Sequence, residues 1–247
     1  MFYEKVAKAF DAEASIYDKL ILRNPSMKYA YLIAQEYLLK SFSKGDKVLD
    51  IGCGTGLQAI PLALQGCEVV AIDVSTEMLN ILQKKIKKLL LTNIKIYNLP
   101  ASKLEKLLDI YGKDYFDGAY SFFGPLNAEP FIISFKEGLL KLLKKNGLFI
   151  SLIMNKINIY NIRSKKPIRK YKGFIYRKYD YKEFLNIFKE LKLEEIFSVN
   201  IFLPPPNFKI SKNEFIVKGL YFIEKKFYNI KPFSLLGFHI GFKMRKI

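Results

Sequence analysis

The sequence contains no tryptophan, one histidine and two cysteines among its 247 residues. Cys53 and Cys67 are too few for a disulfide framework or a four-ligand zinc site, so we expect neither, and no bound metal. No apolar run approaches the about 20 residues of a membrane-spanning helix, and the N-terminal residues show no apolar core of signal-peptide length. These absences predict a cytoplasmic protein without a membrane span.

Acidic residues are scarce, since 41 Lys and Arg outnumber 23 Asp and Glu and give a net charge of +18. Residues 1–150 carry 20 basic against 16 acidic side chains, a net of +4, whereas residues 151–247 carry 21 against 7, a net of +14. Such asymmetry is typical of a polyanion-binding face. However, 36 of the basic residues are Lys and 5 are Arg, and proteins that read nucleic acids rely on Arg. We therefore favour a general compositional bias over a dedicated polyanion site.

Short apolar runs alternate with amphipathic stretches from residue 47 onward, a pattern typical of parallel strands joined by helices. Two helices, 4–22 and 26–40, are predicted before this region, and residues 155–178 show no clear periodicity. The predicted strands cover residues 48–51, 68–72, 94–97, 116–120, 148–154, 193–200 and 236–244. We expect an α/β protein with a doubly wound, mainly parallel sheet.

The most specific motif is a glycine-rich turn that follows the first of these strands. Glycines stand at positions 52, 54 and 56, and Asp50 lies at the strand end before them. Glycines let backbone amides approach a ligand closely. A dinucleotide fingerprint would have its third glycine at position 57, where Leu57 stands, and no Lys-Ser/Thr pair of a nucleotide-triphosphate loop follows. The carboxylate of Asp50 suits an ammonium group better than a pyrophosphate.

Asp73 ends the second strand, seventeen positions after Gly56. A carboxylate at this point can accept hydrogen bonds from both hydroxyls of a ribose. Taken alone, Asp73 is equally compatible with a residue at the start of the following helix. Together with the glycine turn, the ribose interpretation is favoured.

The run VLDIGCGTG (48–56) followed by VVAIDVSTEML (69–79) resembles the class I S-adenosylmethionine-dependent methyltransferases of the small-molecule type. FDGAY at 116–120 and LLKKNG at 142–147 extend the resemblance, which covers about residues 10–155. It implies a Rossmann-like, seven-stranded sheet with N-terminal helices and an insertion after the fifth strand. We therefore expect one domain, 1–247, made of a helical cover (1–45), a cofactor-binding core (46–154) and a substrate-side segment with the final strands (155–247).

The resemblance also implies S-adenosylmethionine as cofactor and assigns residues to it. The glycine turn would lie against the methionine part with Asp50 near its ammonium, and Asp73 would hold the ribose. Tyr17, in a Tyr-Asp pair found ahead of the first strand in such enzymes, would help to close over the cofactor. The residues implied to bind the cofactor are Tyr17, Asp50, Gly52, Cys53, Gly54, Gly56, Asp73, Val74, Met78, Ser102, Ser121 and Phe122.

The resemblance defines two parts of the site less well, the contact to the adenine amine and the surroundings of the methyl acceptor. Many members carry an acidic residue after the third strand that contacts the adenine amine, whereas residues 98–102 here are Asn-Leu-Pro-Ala-Ser, so that contact falls to Ser102 or backbone. Near the acceptor, Phe123 and Asn127 are the candidate substrate residues. His239 and Tyr17 are the candidate catalytic groups, although a lone histidine in a strand is more often structural.

The acceptor class is narrowed by what the motifs lack. Methylation of exocyclic base nitrogens uses an Asn/Asp-Pro-Pro-aromatic loop after the fourth strand, and residues 121–127 do not match it. Cytosine C5 methylation needs a thiolate nucleophile, which neither cysteine is placed to supply. We therefore expect methyl transfer to an O, N or C atom of a small molecule. An RNA or protein methyltransferase using the basic C-terminal third, and a non-catalytic module that keeps the cofactor fold, remain alternatives. The basic segment 163–172 is a solvated loop, a cover over an anionic substrate or an RNA contact.

Overall fold

A central sheet with helices on both faces organises the chain. The computed structural model describes residues 2–161 and 168–247. The strands are β1 Lys47–Ile51, β2 Glu68–Asp73, β3 Ile94–Asn98, β4 Phe116–Phe122, β5 Leu143–Met154, β6 Ile168–Tyr171, β7 Phe174–Arg177, β8 Leu191–Val199 and β9 His239–Lys246. The helices are α1 Phe2–Asp11, α2 Ala14–Arg23, α3 Pro25–Ser41, α4 Ala59–Leu64, α5 Thr76–Lys88, α6 Glu105–Tyr111, α7 Ile132–Leu142, α8 Tyr181–Ile187 and α9 Glu214–Phe227.

The main sheet has seven strands in the described part of the chain, in the order β3-β2-β1-β4-β5-β9-β8. Strands β1 to β5 run parallel, and β9 pairs antiparallel with both β5 and β8. The predicted doubly wound, mostly parallel sheet is confirmed. Strand order reverses between β1 and β4, and ligands of open α/β sheets bind outside the carboxyl ends of the strands at such a switch point.

The central strands are buried because helices cover both faces of the sheet. Val48, Leu49 and Ile51 of β1 are fully buried, as expected for a strand in the middle of a parallel sheet. Helix α5 begins at Thr76, because the Ser75 side chain accepts a hydrogen bond from the Met78 N–H and caps the helix. Within the described residues, no helix is both long and apolar enough to cross a membrane.

One prediction about local structure was wrong. Residues 2–41 form three helices rather than two, because the chain bends after Asp11, whose carboxylate binds the Ser75 hydroxyl and the Glu77 N–H of α5. The insertion expected after β5 contains an antiparallel hairpin of β6 and β7, in a region where the sequence shows no clear periodicity. Its turn is Lys172-Gly173, and both residues have positive φ. Residues 162–167, which include most of the basic segment 163–172, lie outside the described residues.

Glu224 of α9 organises the loop between β8 and α9. Its buried carboxylate accepts hydrogen bonds from the N–H groups of Ile201, Phe202 and Leu203, at 2.8, 2.6 and 3.1 Å. Burial raises the pKa of Glu224 to about 7. The loop that these bonds hold continues into Pro205, which lines the cavity described below.

Replacing Glu224 tests this anchor. Glu224→Ala leaves three backbone donors without their acceptor, and at about 1 kcal/mol for each we expect the free energy of unfolding to fall by about 3 kcal/mol. Urea denaturation measures this change. Glu224→Gln keeps one acceptor oxygen and should lose less. Equal losses in the two variants would contradict the anchoring role.

Candidate active site

A cavity of about 510 Å³ opens at the carboxyl ends of the central strands. Its wall is built from the N-terminal helices, the glycine turn after β1, the ends of β2 and β4, the β6–β7 hairpin and the loop after β8. Most of this wall is apolar and aromatic, with a few polar groups among them, as in small-molecule sites.

The glycine turn needs glycine for different reasons at different positions. Gly52, Gly54 and Gly56 all have positive φ, at 75°, 53° and 81°. A side chain at Gly52 would clash with Pro125, and one at Gly56 would clash with Leu82. At Gly54, no atom lies within 4 Å of where a Cβ would stand. Since Gly54 also lines the cavity, the turn presents bare backbone to a ligand.

Asp73 joins the glycine turn to the start of α5. One carboxylate oxygen accepts the N–H of Gly54 and the other accepts the N–H of Ser75, both at 2.8 Å. Burial raises the pKa of Asp73, and these two bonds oppose that effect. Each oxygen keeps a further lone pair, so Asp73 can accept two more hydrogen bonds from a ligand.

Asp50 is a buried carboxyl group that lies beside the Tyr120 hydroxyl. It lines the cavity and is 3% exposed, and within the described residues its Oδ2 atom has no hydrogen-bond partner. The neighbouring Tyr120 hydroxyl is also without a partner there. Burial raises the pKa of Asp50 to about 8; the nearby Tyr120 hydroxyl opposes this shift, and the charge of Asp73 adds to it. Such a group gains most from a cationic ligand, which would pair with its charge.

Most of the residues predicted from the sequence line this cavity. Tyr17 comes from α2, and His239 from the start of β9 at the opposite wall. The predicted residues that line it are Tyr17, Asp50, Gly52, Cys53, Gly54, Asp73, Val74, Met78, Phe122, Phe123 and His239. Burial raises the pKa of the Cys53 thiol, which agrees with the expectation that it does not supply a thiolate nucleophile.

Four predicted residues do not line the cavity. The Ser121 hydroxyl donates to the carbonyl of Ile51 between neighbouring strands, and Gly56 packs against α5. Asn127 joins two chain segments, since its side chain accepts the Met154 N–H and donates to the Arg177 carbonyl. The Ser102 hydroxyl lies 2.5 Å from the Tyr3 hydroxyl. The side chains of Ser121, Asn127 and Ser102 are thus already engaged within the protein.

Glu129 and Tyr3 lie where Ser102 was expected to act. This part of the cavity, the α1 end, is lined by Tyr3, Val6, Val74 and Glu129. The Glu129 carboxylate accepts from the Tyr3 hydroxyl at 2.5 Å and from the Ser102 N–H at 3.1 Å. A carboxylate therefore does lie in this region, but it comes from the loop after β4 rather than from the loop after β3. No local sequence signal distinguishes Glu129 from a surface residue.

The N-terminal helices are held over the glycine turn by polar contacts. Asp18, the second residue of the predicted Tyr-Asp pair, accepts from the Thr55 hydroxyl and pairs with Lys85, both at 2.6 Å. The Tyr17 and Tyr31 hydroxyls lie 2.9 Å apart. On the other side, Glu13 pairs with Lys172 at the turn of the hairpin. Together, α2 and the hairpin cover the cavity.

The opposite part of the cavity, the β9 end, is aromatic and uncharged. The Tyr31 ring stacks on Phe123 at 4.0 Å, and Phe123 packs edge-on against His239. The Asn200 amide donates to the Leu203 carbonyl, so its Oδ1 faces Nδ1 of His239 at 3.2 Å. His239 Nδ1 then carries the proton and Nε2 keeps a lone pair. Burial and the charge of Lys178 lower the pKa of His239 to about 3, so the ring is neutral.

The described residues contain no group of three or more His, Cys, Asp and Glu side chains that could hold a metal ion. The donor set of this site is therefore made of isolated carboxylates, amides, hydroxyls and one imidazole.

Residues 42–191 match a protein family described as a methyltransferase domain. The chain belongs to this family. Over 163 residues it is 34% identical to an uncharacterized protein of Methanocaldococcus jannaschii, and the match covers 66% of this chain and 53% of that protein. The chain thus spans about half the length of this relative.

Solved methyltransferase structures have the same fold. One from Thermotoga maritima, described as S-adenosylmethionine-dependent, is 16% identical with a TM-score of 0.67, covering 98% of this chain and 99% of its own. The Burkholderia thailandensis 1,6-didemethyltoxoflavin-N1-methyltransferase, solved with S-adenosylhomocysteine, is 18% identical with a TM-score of 0.60, covering 98% and 88%. The predicted family and its cofactor are confirmed, and the chain carries an S-adenosylmethionine-dependent methyltransferase domain.

The cavity residues fit this cofactor. Its ammonium group would pair with the ionised carboxylate of Asp50, whose Oδ2 atom has no partner among the described residues, and its ribose hydroxyls would use the remaining lone pairs of Asp73. The open space at Gly54 leaves room for a ligand against the turn.

The stability of the protein without cofactor tests the state of Asp50. Its pKa is about 8 in the folded protein, against about 4 in an unfolded chain. Because the folded pKa is raised, stability is greatest below the unfolded value and falls as pH rises through this window. Asp50→Asn buries no charge, so its melting temperature should exceed that of the wild type at about pH 8 and approach it near pH 4.

Thermal melts at both pH values measure this difference. Asp109→Asn, at an exposed position on α6, is the matched control and should have the melting temperature of the wild type at both pH values. An Asp50→Asn variant that melts at or below the wild type at the higher pH would contradict the raised pKa.

Proposed function

We propose that the protein binds S-adenosylmethionine in this cavity and transfers the methyl group to a small, uncharged acceptor held at the β9 end. The observation that carries the proposal is the buried carboxyl of Asp50, whose Oδ2 atom has no hydrogen-bond partner among the described residues, beside an open glycine turn and Asp73 in one cavity. The apolar and aromatic β9 end supports an acceptor of small size.

Each part of the cofactor has residues suited to it. Asp50 would hold the ammonium group and Asp73 the ribose hydroxyls. Val74 and Met78 supply apolar surface for the adenine ring. Glu129 has its carboxylate at the same α1 end and would accept a hydrogen bond from the adenine amine, the contact first expected of Ser102. These roles are supported by the position of the residues in the cavity wall, by their burial and by their capacity to form hydrogen bonds.

The bound cofactor supplies a methyl group that is already activated by its sulfonium. The work left to the chain is to align the acceptor for in-line displacement and to keep water out. The cover formed by α2 and the hairpin keeps water out, and the stacked pair Tyr31 and Phe123 aligns the acceptor. The aromatic faces at this end also favour a positively charged sulfonium.

The β9 end offers hydrogen bonding but no group that exchanges protons near neutral pH. His239 has a pKa of about 3, and burial raises the pKa of Tyr17 to about 12. Neutral His239 therefore accepts a hydrogen bond through Nε2 rather than taking a proton. An acceptor that attacks in its neutral form, such as an amine or a heteroaromatic nitrogen, suits this arrangement better than an alcohol.

A macromolecular acceptor is less compatible with the cavity. Among the described residues that line it there is no Lys or Arg, so a phosphate backbone would find no partner. The volume of about 510 Å³ must hold both cofactor and acceptor. An RNA or protein substrate could insert only one base or one side chain into this cavity. The alternative of a non-catalytic binding module predicts that the protein binds the cofactor without transferring its methyl group.

Cofactor binding tests the proposal directly. Calorimetric titration should detect binding of S-adenosylmethionine and of S-adenosylhomocysteine. Asp73→Asn loses the negative charge of the ribose-binding carboxylate, so we expect affinity to fall at least about tenfold. Asp109→Asn is the control and should bind like the wild type. Unchanged affinity in a folded Asp73→Asn protein would refute the ribose assignment, and no binding by the wild type would refute the proposed function.

A further inference from the structure

Helix α9 and the turn before it expose large apolar side chains on the surface. Phe215 is 88% exposed and Phe222 is 57% exposed. We call this surface the α9 face; it consists of Phe208, Ile210, Phe215, Ile216, Phe222 and Ile223, each more than 40% exposed. Large exposed apolar side chains grouped on one helix and the turn before it are typical of an interaction site.

The α9 face is presented by a firmly anchored helix. Val217 and Glu224, on the opposite side of α9, are fully buried. Tyr221 stacks on Tyr29 of α3 at 4.7 Å, and Glu214 pairs with Lys28 at 3.1 Å. Because Phe215 and Phe222 are seven residues apart, they lie on one side of the helix. Their exposure therefore follows from how the helix packs.

Lysines that form no salt bridge surround these apolar side chains. Four exposed lysines on or beside the α9 face have no salt bridge within the described chain; they are Lys209, Lys212, Lys218 and Lys226. The acidic residue nearest in sequence on this exposed side, Glu214, is already paired with Lys28. The face thus combines Phe and Ile side chains with a surplus of cationic groups.

We propose that the α9 face docks on the surface of a bilayer that contains anionic lipids. Phe and Ile side chains partition into the boundary between headgroups and acyl chains, and flanking lysines meet lipid phosphates. A second copy of the chain fits less well, because a symmetric dimer would bring like-charged lysines together. RNA fits less well because the face offers aliphatic Ile and Lys rather than Arg.

The α9 face begins at the rim of the cavity. Phe208 directly follows Asn207, which lines the cavity together with Pro205 and Pro206. Docking through this face would hold that rim close to the bilayer surface.

Sedimentation with lipid vesicles tests the proposal on the wild-type protein. The probes are vesicles of phosphatidylcholine alone and vesicles with about one third phosphatidylglycerol. We expect binding to the anionic vesicles that weakens as salt rises, and little binding to neutral ones. The double variant Phe215→Ser/Phe222→Ser should bind at least about tenfold more weakly.

Matched variants separate apolar from electrostatic contributions and from misfolding. Leu64→Ser/Ile110→Ser removes two comparably exposed side chains, 63% and 55% exposed, from other helices and should bind like the wild type. Lys212→Glu/Lys218→Glu should lose binding to anionic vesicles. Melting curves of every variant should stay close to the wild type, since each replaced side chain is exposed.

Several results would overturn the proposal. They are absence of binding to both vesicle types, and binding unchanged by Phe215→Ser/Phe222→Ser. Light scattering that shows a wild-type dimer, dissociated by that same variant, would assign the face to self-association. Stronger binding to single-stranded RNA than to vesicles, lost in Lys212→Glu/Lys218→Glu but kept in Phe215→Ser/Phe222→Ser, would assign it to RNA.

Discussion

Two carboxyl groups at the ends of neighbouring strands determine how the site is built. Both oxygens of the first accept backbone hydrogen bonds, whereas one oxygen of the second has no hydrogen-bond partner among the described residues. Asp73 of β2 accepts the N–H groups of Gly54 and Ser75, and so holds the glycine turn and the start of α5 in one arrangement. Asp50 of β1 lies beside it without a hydrogen-bond partner for its Oδ2 atom among the described residues. The first carboxylate shapes the cavity. The second leaves an electrostatic cost that a cationic ligand relieves.

The remaining parts of the site are attached to this pair by contacts between distant segments. Asp18 binds Thr55 and Lys85 and so fixes α2 over the glycine turn. Glu129 binds Tyr3 and thereby joins α1 to the loop after β4. Glu224 holds the loop that brings Pro205 to the cavity rim. The cover over the cavity is thus assembled by buried or half-buried polar contacts, which are specific in geometry.

How much of this could be predicted depends on whether the signal is local. Asp50, the glycines and Asp73 stand at fixed spacing around one strand-turn-helix unit, and the mostly parallel sheet follows from the strand and helix periodicity. Glu129 could not be identified, because its partner Tyr3 is 126 positions away in sequence. The same holds for Asn200, which orients His239 across 39 positions. The bend after Asp11 has no proline or glycine to mark it, since its cause is a contact with α5.

The charge of the C-terminal third was predicted to reflect composition, and its lysines are now seen in different settings. Lys246 pairs with Asp114, and Lys225 pairs with Glu36. Lys212 and Lys218 form no salt bridge in the described chain and border exposed phenylalanines. Net charge alone could not distinguish lysines in salt bridges from lysines that border exposed phenylalanines, because the difference lies in where each lysine stands on the folded surface.

Proton release on cofactor binding tests the role of Asp50 most directly. In the free protein at about pH 6.5 this carboxyl is mostly protonated, because its pKa is about 8, and it must ionise to pair with the cofactor ammonium. Calorimetry of S-adenosylhomocysteine binding in two buffers of different ionisation enthalpy should therefore show release of close to one proton per cofactor, and of none in Asp50→Asn. Tight binding by the wild type without proton release would contradict the pairing of Asp50 with the cofactor.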